Sequence, residues 1–113
     1  LEPDIEIVEI ANELNTDIIE FHTGKYSDLK DIERAEELDR IIQAVEFADS
    51  LGIECHAGHG LTYDNVADIA NITQLKELNI GHFLIGEAVF LGLESSIIKM
   101  RKIIQDIRNT KVA

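Results

Sequence analysis

Apolar positions along this chain alternate between two rhythms: helical spacing in long stretches and short continuous runs of strand length. Ile5, Val8, Ile10, Ala11 and Leu14 predict a first helix ending near Asn15, with Pro3 in its first turn. Asp17–His22 is a short apolar run closed by Thr23-Gly24, which predicts a strand. A long amphipathic helix over Asp31–Ser50 sets Ala35, Leu38, Ile41, Ile42, Val45 and Ala48 on one side. Glu33, Arg34, Glu36, Glu37, Asp39 and Arg40 fall on its solvated side. Leu51-Gly52 ends that helix, and Ile53–His56 is the next strand. Thr62 or Asp64 is placed to cap a helix covering Val66, Ile69 and Ala70. Leu78–Ile80 is the third strand and His82–Leu91 a short helix; Gly92 interrupts, and Glu94–Arg108 is a final amphipathic helix.

The order is α-β-α-β-α-β-α-α, a repetition of βα units without a sequence repeat. Three parallel strands with crossover helices leave open edges, and the first helix lacks the strand that should precede it. A closed (β/α)₈ TIM barrel takes about 250 residues, and this chain of 113 is roughly half of one. The expected fold is therefore α/β, with residues 1–113 forming the C-terminal half of a single barrel domain whose N-terminal half lies outside this chain. A small flavodoxin-like sheet is the alternative.

The chemistry gathers at three places. Ile18–Gly24 (IIEFHTG), Glu54–Leu61 (ECHAGHGL) and Leu78–Gly86 (LNIGHFLIG) contain all four histidines, His22, His56, His59 and His82. Each stretch runs off the end of an expected strand, and in parallel α/β sheets ligands bind at the carboxyl ends of the strands. Histidine is also the side chain most easily poised for proton transfer near neutral pH. Glu20 stands inside an apolar strand, where a carboxylate is costly to bury unless paired. Strand alternation puts Glu20 and His22 on one face and Ile19 and Phe21 on the other.

Composition narrows the partners. A formal net charge of −12 argues against nucleic acid and anionic membranes. It leaves room for a phosphorylated small molecule held by backbone N–H groups at a helix N-terminus. One cysteine, Cys55, cannot form an internal disulfide, so a reducing cytoplasm is the expected compartment. Cys55 itself is expected to pack inertly under a helix. No signal peptide and no run of about 20 apolar residues is visible. His56 and His59 are three apart, which raises zinc, but no second carboxylate or cysteine motif completes a site; neither metal nor cofactor is expected.

His22-Thr23-Gly24-Lys25-Tyr26, Ala57-Gly58-His59-Gly60-Leu61-Thr62-Tyr63 and Glu77-Leu78-Asn79-Ile80-Gly81-His82 together resemble the pyridoxine 5′-phosphate synthase family of deoxyxylulose-dependent vitamin B6 biosynthesis. The similarity runs from Leu1 to about Asp106. It implies a (β/α)₈ barrel to which this chain supplies helix 5 through helix 8. It also implies a cytoplasmic homo-oligomer, typically an octamer. The implied reaction condenses 3-amino-2-oxopropyl phosphate with 1-deoxy-D-xylulose 5-phosphate to pyridoxine 5′-phosphate, inorganic phosphate and water.

By the same resemblance His59 is the proton donor and Glu20 the transition-state stabiliser. Gly60, Gly81 and His82 hold the amino-oxopropyl phosphate. His59 lies between two glycines, which free its backbone, and ring closure with loss of water and phosphate needs a proton donor. Blander readings stand beside these: a packing histidine, a core carboxylate bonded to a neighbouring strand, a glycine kept for a tight turn. His22 and His56 receive no role, and Glu87 stands where many relatives carry arginine. The family's two proton acceptors, a histidine and a glutamate, belong to the first half of the barrel, so this chain alone is not expected to be active. Two other functions remain: another phosphate-binding barrel enzyme, for which Lys25 is the one lysine near a strand end, and a non-catalytic phosphate-binding or interaction module.

Overall fold

A computed structural model describes residues 1–112. The elements are α1 (Ile5–Glu13), β1 (Ile18–His22), α2 (Gly24–Asp28), α3 (Asp31–Ser50), β2 (Glu54–Gly58), α4 (Val66–Ala70), β3 (Leu75–Asn79), α5 (Gly81–Leu91) and α6 (Leu93–Val112). The three strands form one parallel sheet in the order β1-β2-β3, as the alternation of helices and strands implies.

One sheet face is the core. Ile19 and Phe21 of β1, Cys55 and Ala57 of β2 and Leu75 of β3 are buried with Val8 of α1, Ile41, Ala44, Val45 and Ala48 of α3, Val66 and Ile69 of α4, and Met100 of α6. The opposite face carries Ile18, Glu20 and His22, then Glu54 and His56, then Glu77 and Asn79, all exposed except the half-buried His56. The division of β1 into a Glu20/His22 face and an Ile19/Phe21 face is borne out. Cys55 also lies where it was expected, beneath α3, its thiol 3.7 Å from the Val45 carbonyl. Burial, with Asp49 and Glu54 adding to it, pushes that thiol up to about 11.

Strand pairing explains where the sequence pattern misled. β2 runs Glu54–Gly58 rather than Ile53–His56, and β3 runs Leu75–Asn79 rather than Leu78–Ile80. Cys55 pairs with Leu75 and His56 with Glu77, so Lys76 is an extra residue, a bulge. Lys76 and Glu77 are consequently both exposed, and the apolar alternation that marks a strand is broken at its start. α2 went unforeseen because Gly24–Asp28 offers a single apolar anchor, Tyr26, whose hydroxyl donates to the Asn65 carbonyl at 2.6 Å. α6 extends the expected Glu94–Arg108 at both ends. Gly92 does separate the last two helices, at φ 80°.

Caps and charges differ too. α4 has Asn65 at its N-cap instead of Thr62 or Asp64. Asn65 is buried and binds backward, its Oδ1 accepting from Thr62 N–H at 2.8 Å and its Nδ2 donating to the Gly60 carbonyl at 3.1 Å. α1 starts at Ile5, after Pro3. Asp4, its N-cap, makes no capping bond because its carboxylate accepts from Arg40 Nε at 3.1 Å and Nη2 at 2.7 Å. Arg40 also donates twice to Glu37, at 3.1 and 3.0 Å, so Glu37 is buried rather than solvated. The Asp4 carboxylate first, then Glu37, raises the Arg40 pKa and holds the guanidinium charged. Ala35, placed on the apolar side by its spacing, is exposed near the start of α3.

On the free side of β1, Leu1 pairs in strand fashion. His22 N–H donates to the Leu1 carbonyl at 2.8 Å and the Leu1 amino group donates to the Glu20 carbonyl at 2.6 Å. That is the bond pattern of a parallel neighbour. Among the described residues no helix is long and apolar enough to cross a membrane.

Candidate active site at the carboxyl ends of the strands

The register sets His22, Gly58 and Asn79 side by side in the last row of the sheet, with Glu20, His56 and Glu77 in the row beneath. Gly58 is the low point of its row. A Cβ on it would lie 2.6 Å from Glu20 Oε1 and 2.9 Å from the Asn79 Cβ. Without that Cβ, Glu20 and Asn79 reach each other across β2, and Asn79 Nδ2 donates to Glu20 Oε1 at 3.0 Å. The carboxylate is thus aimed by an amide on β3, on the open face of the sheet.

Beyond Gly58 the chain turns sharply. His59 has φ 90° and Gly60 φ 77°. Such values suit glycine, and a histidine held there is strained. Thr23, fully buried, supplies the hold. Its N–H donates to the Gly58 carbonyl at 2.9 Å, and its hydroxyl lies 2.8 Å from that carbonyl and 2.7 Å from the His59 carbonyl. Gly60 leaves room for Ser27, whose Oγ would be 2.6 Å from a Cβ there.

The His59 ring leaves this turn exposed and stacks on His22, with centroids 4.3 Å apart and planes 26° from parallel. His22 Nδ1 accepts the Gly24 N–H at 3.3 Å. Gly24 lies beneath both rings, since a Cβ on it would come within 2.5 Å of His22 Cε1 and 2.9 Å of His59 Cδ2.

Across the opening, α5 begins at Gly81. Ile80 at its N-cap offers no side-chain cap, and the Leu84 N–H bonds back to the Ile80 carbonyl. The amides before it belong to the first turn, which has no intrahelical acceptors. Open space lies where a Gly81 Cβ would be.

Two adjoining depressions share His59, Asn79 and His82. One, of about 320 Å³, is also lined by Gly60, Thr62 and Phe83. The other, of about 340 Å³, is also lined by Leu1, Glu20 and His22. His59, Glu20, Gly60 and His82 therefore meet at one mouth, with Gly81 between two of its lining residues, Ile80 and His82. His56 does not join them: its Nε2 lies 2.7 Å from Glu54 Oε2 and its Nδ1 3.9 Å from Glu77 Oε2, in the row below. Lys25 faces away, 3.9 Å from Glu37. Among the described residues no group of three histidine, cysteine or acidic side chains is placed to hold a metal ion.

Asn79 receives no role from the sequence, and Thr23, Gly24 and Gly58 read there only as turn or flanking residues. Their roles depend on which residues face each other across strands. The one available signal was that Asn79 and Gly58 sit within the same motifs as His82 and His59.

Residues 1–106 match the model of a family described as pyridoxal phosphate biosynthesis protein PdxJ. The chain is similar to the pyridoxine 5′-phosphate synthase of Zymomonas mobilis subsp. mobilis, 54% identical over 108 residues, which cover 96% of this chain and 42% of the relative. It is similar to the protein of the same name from a Sulfurihydrogenibium species, 46% identical over 96% of this chain and 44% of the relative. A third, from Rhodospirillum rubrum, is 48% identical over 89% of this chain and 41% of the relative. The chain thus spans little more than two fifths of the length of these relatives.

Proposed function

The chain belongs to the PdxJ family, and on that footing we propose that it is the carboxyl-terminal part of a pyridoxine 5′-phosphate synthase with a (β/α)₈ barrel. The substrates are 3-amino-2-oxopropyl phosphate and 1-deoxy-D-xylulose 5-phosphate, and the assembly is a cytoplasmic homo-oligomer, an octamer by family resemblance. The observation that carries the reading is the meeting of His59, the Asn79-aimed Glu20 carboxylate and the start of α5 around one mouth.

Each group has work that suits its surroundings. His59, exposed at the mouth on a fixed turn, gives a proton to a leaving oxygen as the ring closes. Glu20 has one oxygen engaged by Asn79 and sets its negative charge against positive charge developing on the substrate nitrogen. Gly60, Gly81 and His82 hold phosphate through backbone N–H groups, Gly81 and His82 at the positive end of α5. The proton acceptors and most of the deoxyxylulose phosphate site belong to the part of the synthase this chain does not span.

The test is His59→Asn in the full synthase. Both KM values are expected near those of the parent, with kcat lower by about two to four orders of magnitude, the range of a lost general acid. Turnover within a few-fold of the parent would remove His59 from the chemistry and the reading with it.

A further inference from the structure

Resting on that reading of His59, we propose that His22 is the positioning residue for the proton donor. The His59 ring needs one. Its main chain is locked by Thr23, yet the side chain leaves an exposed turn with glycine on both sides. Among the described residues the ring stacked on it is His22, at 4.3 Å and 26°.

His22 is itself fixed at two points. Its backbone sits in the last position of β1, paired with Gly58. Its Nδ1 accepts the Gly24 N–H. The tautomer of His22 that accepts this bond carries its proton on Nε2 and presents a neutral ring. A neutral aromatic face beneath His59 accommodates a protonated imidazole, whereas a second cation at this distance would repel it. The titratable side chains that line the same depression are Glu20 on β1 and His82 on α5.

Gly24 supplies an independent sign that the pair is a unit. No positive φ requires glycine there, but a Cβ would strike both rings at once. The residue type is explained by the space the two stacked rings occupy.

This predicts a specific division of labour. The ring of His22 matters because it stacks, and it acts only through His59. Two replacements separate the parts: Asn retains an acceptor for the Gly24 N–H without a stacking ring, and Phe retains the ring without the acceptor.

The experiment is steady-state kinetics of His22→Asn and His22→Phe in the full synthase, each alone and combined with His59→Asn, with thermal midpoints measured in parallel. His22→Asn is expected to lower kcat by about 10- to 100-fold, the scale of a misplaced catalytic group, with both KM values within about two-fold of the parent. His22→Phe is expected to recover most of that loss. On the His59→Asn background neither change at His22 should lower turnover further, because a group acting through another is silent once the other is gone. A harmless His22→Asn beside a damaging His59→Asn would overturn this inference alone. So would an equal further loss on the His59→Asn background at an unchanged thermal midpoint, or a His22→Phe as slow as His22→Asn. A harmless His59→Asn would instead overturn the functional reading, and this inference with it.

Discussion

At the scale of single residues, His59 pays in stability for its position. Its φ of 90° is a conformation that a Cβ disfavours, by roughly 1–2 kcal/mol. Removing the side chain entirely should therefore relax the turn. His59→Gly is expected to be more stable than His59→Ala by about 1 kcal/mol in urea unfolding, while both lack turnover. Equal stability of the two would mean that the turn is not strained at this residue. Glycines on either side of His59 were the legible trace of this geometry, and the alternation of β1 was enough to pair Glu20 with His22 on one face. The stacking of His22 on His59 was not legible: the two are 37 positions apart, and only the parallel register of β1 with β2 brings them together. For the same reason the amide that aims Glu20 could not be read from β1, because it comes from β3, over a glycine in β2.

At the scale of elements, the start of α5 and the clamp on α3 make separate predictions. Gly81 opens α5 beside the mouth with nothing near its missing Cβ, so valine there fits the fold but fills the space assigned to phosphate. Gly81→Val is expected to raise KM for 3-amino-2-oxopropyl phosphate more than for deoxyxylulose phosphate; equal loss for both would place the fault in folding rather than in the site. Arg40 ties the segment before α1 to α3 through Asp4 and Glu37. Its removal leaves the Glu37 carboxylate, 3% exposed, with Lys25 at 3.9 Å as its ion-pair partner. In the full synthase Arg40→Met is expected to cost about 3 kcal/mol in urea unfolding, and adding Glu37→Met should return much of it, since the penalty is a buried carboxylate left with one distant, exposed lysine. A loss below about 0.5 kcal/mol would class the pair with ordinary surface bridges. Helical spacing was enough to locate α3, because twenty residues average over irregularities. It misplaced Glu37 since a partner on another element, not period, decides whether a carboxylate is buried. The five-residue elements were harder: one bulge at Lys76 was enough to hide the start of β3.

At the scale of the whole molecule, the sheet has one covered face and one open face, and several large apolar side chains face outward. Ile85, Val89 and Phe90 of α5 are 64%, 79% and 85% exposed, Ile98 of α6 is 57% exposed, and Ile18 on the open face of β1 is 51% exposed. Exposed apolar surface of this kind marks an interaction surface or an aggregation hazard. The 113 residues by themselves should accordingly self-associate or unfold without a cooperative transition. Charge opposes this, for a net −12 on so small a chain makes copies repel. That repulsion is screened over about 8 Å at physiological ionic strength and about 3 Å at 1 M salt, whereas the apolar attraction is not screened. Association of the isolated chain should therefore grow as salt is raised, which sedimentation velocity at several salt concentrations measures directly. A salt-independent monomer with a sharp two-state urea transition would sink the prediction. It would mean that the exposed residues of α5 and β1 are tolerated by a sheet that is complete with three strands.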